Sequence, residues 1–382
     1  MTTIEIFTNK LQEIPDFRKP QGQRYKLHHL LAIMLLAMLS GSDDFESIAL
    51  FCVKKKSFLI AHKLLDSENT PSHDLFRWLL MHLDKSALSN LLCAWLEACE
   101  PIFPDDVPIE RRNIQIDGKV LRATRTSEHS RTGLLVLNAY CSNKHVTIGE
   151  MIVDKKSCEK TAIPQIIEIL NLKNDIVTID AAGTMTHVAA AIVDKKSDYI
   201  LALKKNNKHF FNEVKNFFDN FLGTKLISDI SQSVDYQGLR TDIRTCSIIT
   251  DLQYFPDAQK WKGIKTLICV KSQRTFNDKT TLEERFYISS LQCDARGLQD
   301  AIRKHWSIEN NLHWHLDVAF NEDKLRLREK NAALCMAVFR RFALALIKKS
   351  DSTESIKAQR LAIAWNDQEL LNLLNINNLH FS

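Results

Sequence analysis

Three acids in this chain are placed where they could do chemistry together. Asp117 ends the alternating run 114–117 and precedes Gly118, and Asp180 ends the apolar run 176–180 and precedes Ala181-Ala182-Gly183. Glu309 lies in AIRKHWSIENNLHWHLDVAFNED, residues 301–323. On a wheel of about 3.6 residues per turn it falls among Ile302, Trp306, Leu312 and Leu316, so its carboxylate is expected to point inward. An inward carboxylate is costly unless it is paired, protonated or bound to a metal. Each acid alone has an ordinary explanation: a strand-end Asp as a turn former or helix cap, and Glu309 as the partner of an arginine or hydroxyl from elsewhere. Two strand-end acids plus a helix acid also form the arrangement that holds one or two Mg²⁺ ions beyond the strand ends of an α/β sheet. A cation would relieve the mutual repulsion of the three carboxylates, and a pair of ions would serve an in-line phosphoryl displacement.

The surrounding residues fit a polyanionic substrate. Arg111, Arg112, Lys119, Arg122, Arg125 and Arg131 crowd the Asp117 segment, Lys204, Lys205 and Lys208 follow Asp180, and Lys324, Arg326, Arg328 and Lys330 follow Glu309. Lys119 shares the Asp117 face if the strand continues, which suits a phosphate contact, and Arg240 and Arg244 sit beside Gly238, where they could grip DNA. His305 and His313 stack one turn either side of Glu309, but two imidazoles favour zinc or iron and the order is not that of a zinc hydrolase, so they are expected to line the site or pack. Asn310 and Asp317 are expected to support Glu309 from behind. Trp306 and Trp314 are read as core or base-stacking aromatics.

These residues must be positioned by a chain of 382 amino acids that is 45% hydrophobic and 25% charged, the composition of an ordinary globular protein with room for two or three domains. The net charge of +5 leans toward an acidic partner. Nine cysteines with no CxxC pair argue against a disulfide framework or a zinc ribbon, which points to a reducing, cytoplasmic setting. The longest apolar run, 30–39, is about half of what a bilayer needs, so no membrane partner is expected.

Residues 1–105 read as an N-terminal helical domain, with periodic stretches at 27–39, 48–59 and 75–83, Gly41 as a stop and Pro71-Ser72 as a start. Pro101, Pro104 and Pro108 mark a boundary. From Asn113 the period changes to two, and three short β runs form an antiparallel meander. A helix at 163–172, the strand 176–180, a second helix and the strand 199–203 complete a βββαβαβ order over 106–207, a mixed α/β fold with a central sheet. Residues 208–292 fit that order poorly and are read as a β-rich insertion, with a helix at 210–221 and strands at 245–250, 266–271 and 285–290. Closing helices occupy 293–349 and a short helical tail 350–382.

The segments IQIDGKVLR, TIDAAG, YILALKKNN and HWSIENNLHWHLDVAFNED, followed by KNAA at 330–333, resemble the H-repeat-associated (ISAs-type) insertion-sequence transposases of the DDE group. IPDFRKPQGQRYKLHHLLAIMLLAMLSG and PSHDLFRWLL resemble the helical domain associated with them. The resemblance spans nearly the whole chain. It implies a ribonuclease-H-like core, Asp117, Asp180 and Glu309 as the catalytic, metal-binding triad, and DNA cleavage followed by strand transfer. The chain departs from the family pattern at Ala182, Met185, the segment Lys204-Lys205-Asn206-Asn207 and Gln237-Gly238-Leu239, without removing a proposed metal ligand.

The expected activity is therefore that of a transposase. It would use Mg²⁺, as two ions for which Mn²⁺ could substitute, to hydrolyse a phosphodiester at element ends and direct the freed 3′-hydroxyl into target DNA. Contacts from Lys119, Arg122, Lys204, Lys205, Arg240, Arg244, Lys324 and Arg326 would hold the DNA, and pairing of two ends calls for a homodimer or larger assembly. Two other readings use the same residues: a decayed or repurposed copy that binds DNA without cutting it, and a cellular ribonuclease-H-like nuclease acting on generic substrates.

Overall fold

The computed structural model describes residues 8–66, 69–98, 111–125, 133–153, 159–350 and 352–376, so Pro101, Pro104, Pro108 and Arg131 lie outside the described residues. Helices dominate the described residues of the N-terminal part: α1 (Leu27–Leu39), α2 (Phe45–Lys54), α3 (Lys56–Ala61), α4 (His73–His82) and α5 (Lys85–Ala98). Asp44 caps α2 through a capping box, and Ser72 caps α4 by accepting from the Leu75 amide. Gly41 stops the chain after α1 with φ +92°, a conformation open to glycine at little cost. The run read as one helix at 48–59 breaks at Lys55, giving α2 and α3.

The strands begin with β1 (Asn113–Leu121), β2 (Leu134–Cys141) and β3 (Val146–Val153), then come α6 (Glu159–Ile169), β4 (Ile176–Ile179), α7 (Thr186–Asp194) and β5 (Asp198–Leu203). α8 (Lys208–Phe221) leads to β6 (Asp229–Gln237), β7 (Arg240–Ile249), β8 (Thr266–Phe276) and β9 (Lys279–Ser289). α9 (Ala295–His305), a π-helical turn (Glu309–His313) and α10 (Trp314–Val318) follow, then α11 (Lys330–Lys348), α12 (Ile356–Trp365) and α13 (Asp367–Ile376).

Among the described residues, nine strands form one sheet in the order β3-β2-β1-β4-β5-β9-β8-β7-β6. β1 pairs antiparallel with β2 and parallel with β4, and β4 and β5 are parallel. The segment read as an insertion is thus fused to the core: β9 pairs antiparallel with β5 through Ile200↔Ser289 to Leu203↔Phe286, and the four later strands extend the same sheet. Strand β6 was not expected, because its alternating residues are mostly polar and exposed at a sheet edge, where burial imposes no apolar pattern.

On one face, Ile200, Cys246, Ile248, Ile268 and Val270 pack against Ala295, Leu298, Ala301 and Ile302 of α9. The other face, with Ile114, Ile116, Val177 and Ile179, belongs to a larger cluster that also takes in α1 and α11. Eleven of the thirteen residues of α1 are buried, which explains its uninterrupted apolar sequence. The joint between the first and last helices is also polar. Arg360 donates to the Met38 carbonyl and to Asp43 (2.6 Å), and Arg340 donates to the Asp43 carbonyl (2.8 Å).

Candidate active site

The register of the parallel pair places the first two acids. Ile116 lies opposite Ile179, so Asp117 and Asp180 are the next residues on neighbouring strands and leave the sheet on the same side. Ile116 and Ile179 point into the large core, which turns Gln115, Asp117, Thr178 and Asp180 toward the face covered by α9. Asp117 does not close its strand as its sequence suggests. β1 runs on to Leu121, and the crevice opens because β4 stops at Ile179 and leaves that side of β1 without a neighbour.

Asp180 caps the short turn Ala181–Gly183, its Oδ1 accepting from the Ala182 amide at 2.9 Å. The turn must pass close to α6: a Cβ on Gly183 would meet Ile163 and Ile179 at 2.5 Å, so this position requires glycine. Asn206 and Asn207, in the segment Lys204-Lys205-Asn206-Asn207, donate to the carbonyls of Ala181 (2.7 Å) and Thr184 (3.0 Å) and tie this turn to the end of β5.

Glu309 reaches the same cleft by a route that a regular helical wheel misses. The backbone turns π-helical at Glu309–His313, with the Trp314 amide donating to the Glu309 carbonyl. The wider turn shifts the phase of the side chains, so Ile308, Leu312 and Leu316 are buried while Glu309 is exposed. The expected inward, desolvated Glu309 is therefore corrected: it faces solvent in the cleft and carries no burial penalty. Lys348 holds the turn by donating to the Asn311 carbonyl at 2.6 Å, and burial pulls its pKa down to about 8.

Asp117, Asp180 and Glu309 line one cavity of about 570 Å³ together with Lys204, Lys205, His305 and Trp306. Lys204 and Lys205 are exposed there, as a phosphate contact requires. His305 is half-buried and bonded through Nδ1 to Thr178 Oγ1 at 2.9 Å. Burial lowers its pKa to about 4 against the pull of Asp180. His313 Nδ1 stands 3.6 Å from an Asp117 oxygen, and burial, reinforced by Lys119 and Arg341, lowers its pKa to about 3. Both imidazoles are neutral at pH 7, so they shape the site without adding charge.

Several expected contacts go elsewhere. Lys119 is 7% exposed and gives its ammonium to both oxygens of Asp317 at 2.7 Å, so in this arrangement the two are engaged with each other rather than with a phosphate or with Glu309. Arg111 and Arg112 pair with Asp198 (2.6 Å) and Asp175 (2.7 Å) at the opposite strand ends. Arg122 is exposed beside Asp323, and Lys324 and Arg326 line a separate cleft of about 950 Å³ against the starts of α2 and α4. Asn310 is exposed on the far side of Glu309, where Arg240 and Arg244 line an adjoining cavity of about 610 Å³.

Behind Asp117 lies a buried network that sequence reading missed. Asp117 is opposite Asn138 on β2, and Asn138 is opposite Glu150 on β3. Arg341 of α11 donates to Asn138 (2.7 Å) and Glu322 (3.0 Å) and stands 3.5 Å from Glu150. Burial outweighs Arg341 and raises the Glu150 pKa from 4.5 to about 6. A carboxyl whose folded pKa is raised contributes stability that is complete below its unfolded pKa and lost as pH rises through about 6. Glu150→Gln is therefore expected to gain on the order of 2 kcal/mol relative to wild type between pH 4 and pH 8. Urea unfolding at the two pH values measures this, and a pH-independent difference would contradict it.

Among the described residues, one group brings three potential metal donors within 4.8 Å of one another: His209, Glu213 and Asp257. None of the three lines the triad cleft, and Asp257 is already shared by His209 (2.7 Å) and Lys260. Asp117, Asp180 and Glu309 do not meet that spacing.

The folded chain thus presents an acid-lined, lysine-flanked cleft on a mixed α/β sheet, and comparison with known proteins identifies its class. Residues 110–346 match the family described as Transposase DDE domain, and residues 8–96 match its DDE_Tnp_1-associated domain, so the chain belongs to the DDE transposases. It is 30% identical to "Putative transposase YncI" of Escherichia coli O157:H7 over 95% of this chain and 93% of that one. It is also 30% identical to "H repeat-associated putative transposase YhhI" of Escherichia coli K12, over 87% and 88% of the two chains. A piggyBac transposase solved as a synaptic complex with hairpin DNA overlaps 98% of this chain and 80% of its own, with 11% identity and a TM-score of 0.43, too distant a likeness to carry an argument. No helix among the described residues is long and apolar enough to cross a membrane.

Proposed function

We propose that the protein cuts DNA at the ends of a mobile element and joins the freed 3′-hydroxyl to target DNA, with Asp117, Asp180 and Glu309 holding two Mg²⁺ ions. The observation that carries this reading is the convergence of three carboxylates, separated by long stretches of sequence, on one cleft flanked by lysines. The donor set fits the metal. Carboxylate oxygens are hard ligands suited to Mg²⁺, and Mn²⁺ takes the same donors. One oxygen of Asp180 is spent on its cap and the other is left for a cation. When bound, the ions supply activation of the attacking oxygen and stabilisation of the leaving one.

The protein's own groups bind and orient the DNA. Lys204 and Lys205 hold phosphates beside Asp180, while the neutral His305 fixes the floor of the cleft through Thr178. The strand order β3-β2-β1-β4-β5, with Asp117 on the central strand, supports a ribonuclease-H-like core for this chemistry. Holding two element ends together calls for two copies of the chain.

The test incubates the purified full chain with labelled DNA carrying the terminal sequences that flank its gene. With Mg²⁺ the expected products are cuts at the element boundary bearing 3′-hydroxyls, and later strand-transfer products. With EDTA, salt-dependent binding remains and cutting stops. Binding without cutting at any Mg²⁺ or Mn²⁺ concentration would instead mark a DNA-binding protein without catalysis.

A further inference from the structure

We infer that the cavity beside the triad is a phosphate-binding groove for the DNA strand leading into the site, and that Asp242 is the positioning residue that arrays its arginines. This rests on the DNA-cutting reading and extends it to the cavity that adjoins the three acids. The groove of about 610 Å³ shares Glu309, Trp306, Arg285, Tyr287 and Glu283 with the triad cleft, so the two form one continuous path. Its walls are the strands β6 to β9, helix α9 and the start of the π turn.

Asp242 lies near the start of β7 and is only 4% exposed. Its Oδ1 accepts from Arg240 Nε and Arg274 Nε, both at 3.0 Å, and its Oδ2 accepts from Arg240 and from Arg244 Nη2 at 3.0 Å. These bonds hold its carboxyl far below the usual carboxylate range, Arg240 contributing most. Three guanidinium groups on one carboxylate leave an excess of positive charge. A stability device needs one partner, and a second and third arginine add repulsion that an incoming anion would relieve. Arg244 continues the array to Asp235, which also meets Arg303 at 3.1 Å.

The geometry leaves donors for a ligand. Arg274 spends only Nε on Asp242 and is 55% exposed, so both of its terminal nitrogens are available to phosphate oxygens. Planar guanidinium groups suit phosphate because they can donate two parallel bonds, and several in a row match a repeating backbone. Sequence reading reached Arg240 and Arg244 but not Asp242, Arg274 or Arg303, because their proximity depends on cross-strand register: Asp242 lies opposite Arg274 on β8 and opposite Asp235 on β6.

The proposal makes a prediction of sign. Asp242→Asn adds one positive charge, so if net charge alone governed binding, affinity for DNA would rise. If Asp242 sets the array, affinity falls on the order of tenfold despite the added charge, and the slope of log affinity against log salt becomes shallower. Arg274→Gln, on an exposed side chain that leaves the strand core intact, is expected to reduce that slope by about 1. Binding of the full chain to element-end DNA, measured in Ca²⁺ so that binding is separated from cutting, reads both variants. Unchanged or tighter binding by Asp242→Asn, or an unchanged slope for Arg274→Gln, overturns the groove while leaving the triad standing. Loss of cutting in Mg²⁺ by wild type would defeat the triad reading instead, without touching these binding results.

Discussion

Replacing Asp180 by asparagine is expected to lower DNA cleavage by roughly three orders of magnitude or more while leaving DNA affinity within about twofold. Asparagine is as good a cap as aspartate, so the Ala182 amide keeps its partner and the turn Ala181–Gly183 keeps its place. What disappears is the negative charge facing Asp117 across the cleft, and with it the hard ligand a divalent cation requires. A variant that folds, binds DNA and fails to cut separates metal chemistry from scaffold. Single-turnover cleavage with Mg²⁺ measures the effect, and activity within tenfold of wild type would remove Asp180 from the metal site.

The second large effect is on stability. Arg341→Met is expected to cost about 3–5 kcal/mol, because it strands Glu322 and Glu150 in the interior without their common partner. Glu322 is 3% exposed, so water cannot replace the lost bond. The companion variant Arg341→Met with Glu322→Gln removes one of the stranded charges and is expected to recover part of the loss. Urea unfolding gives both values, and a loss below about 1 kcal/mol would show that the network is not a buried ion cluster. Since the same guanidinium holds Asn138 opposite Asp117, the variant is also expected to impair cleavage through the position of Asp117.

The sequence made the first two acids legible because strands impose a strict period of two. The alternation of Gln115 and Asp117 against Ile114 and Ile116 assigned the right face, and the apolar run before Asp180 marked a strand buried in the sheet. Glu309 was found as a residue but misplaced as an environment. A wheel of constant pitch cannot register a π turn, whose extra residue changes which side chains are covered. Pairwise electrostatics were the least readable feature. Lys119 sat on the predicted face, yet no local signal showed that Asp317, 198 positions later, would neutralise it. The same applies to Arg341, Asn138 and Glu150, and to Asp242 with Arg274: each is set by strand register or helix packing between distant segments. The polar edge strand β6 was missed because nothing buries its outer face.

The location of the metal tests the central claim most directly. Crystals of the full chain soaked in Mn²⁺ and measured at the manganese absorption edge locate bound ions without reference to activity. The expected result is anomalous density between the carboxylates of Asp117, Asp180 and Glu309. Density confined to His209, Glu213 and Asp257, or none within bonding distance of the three acids at saturating Mn²⁺, would contradict it.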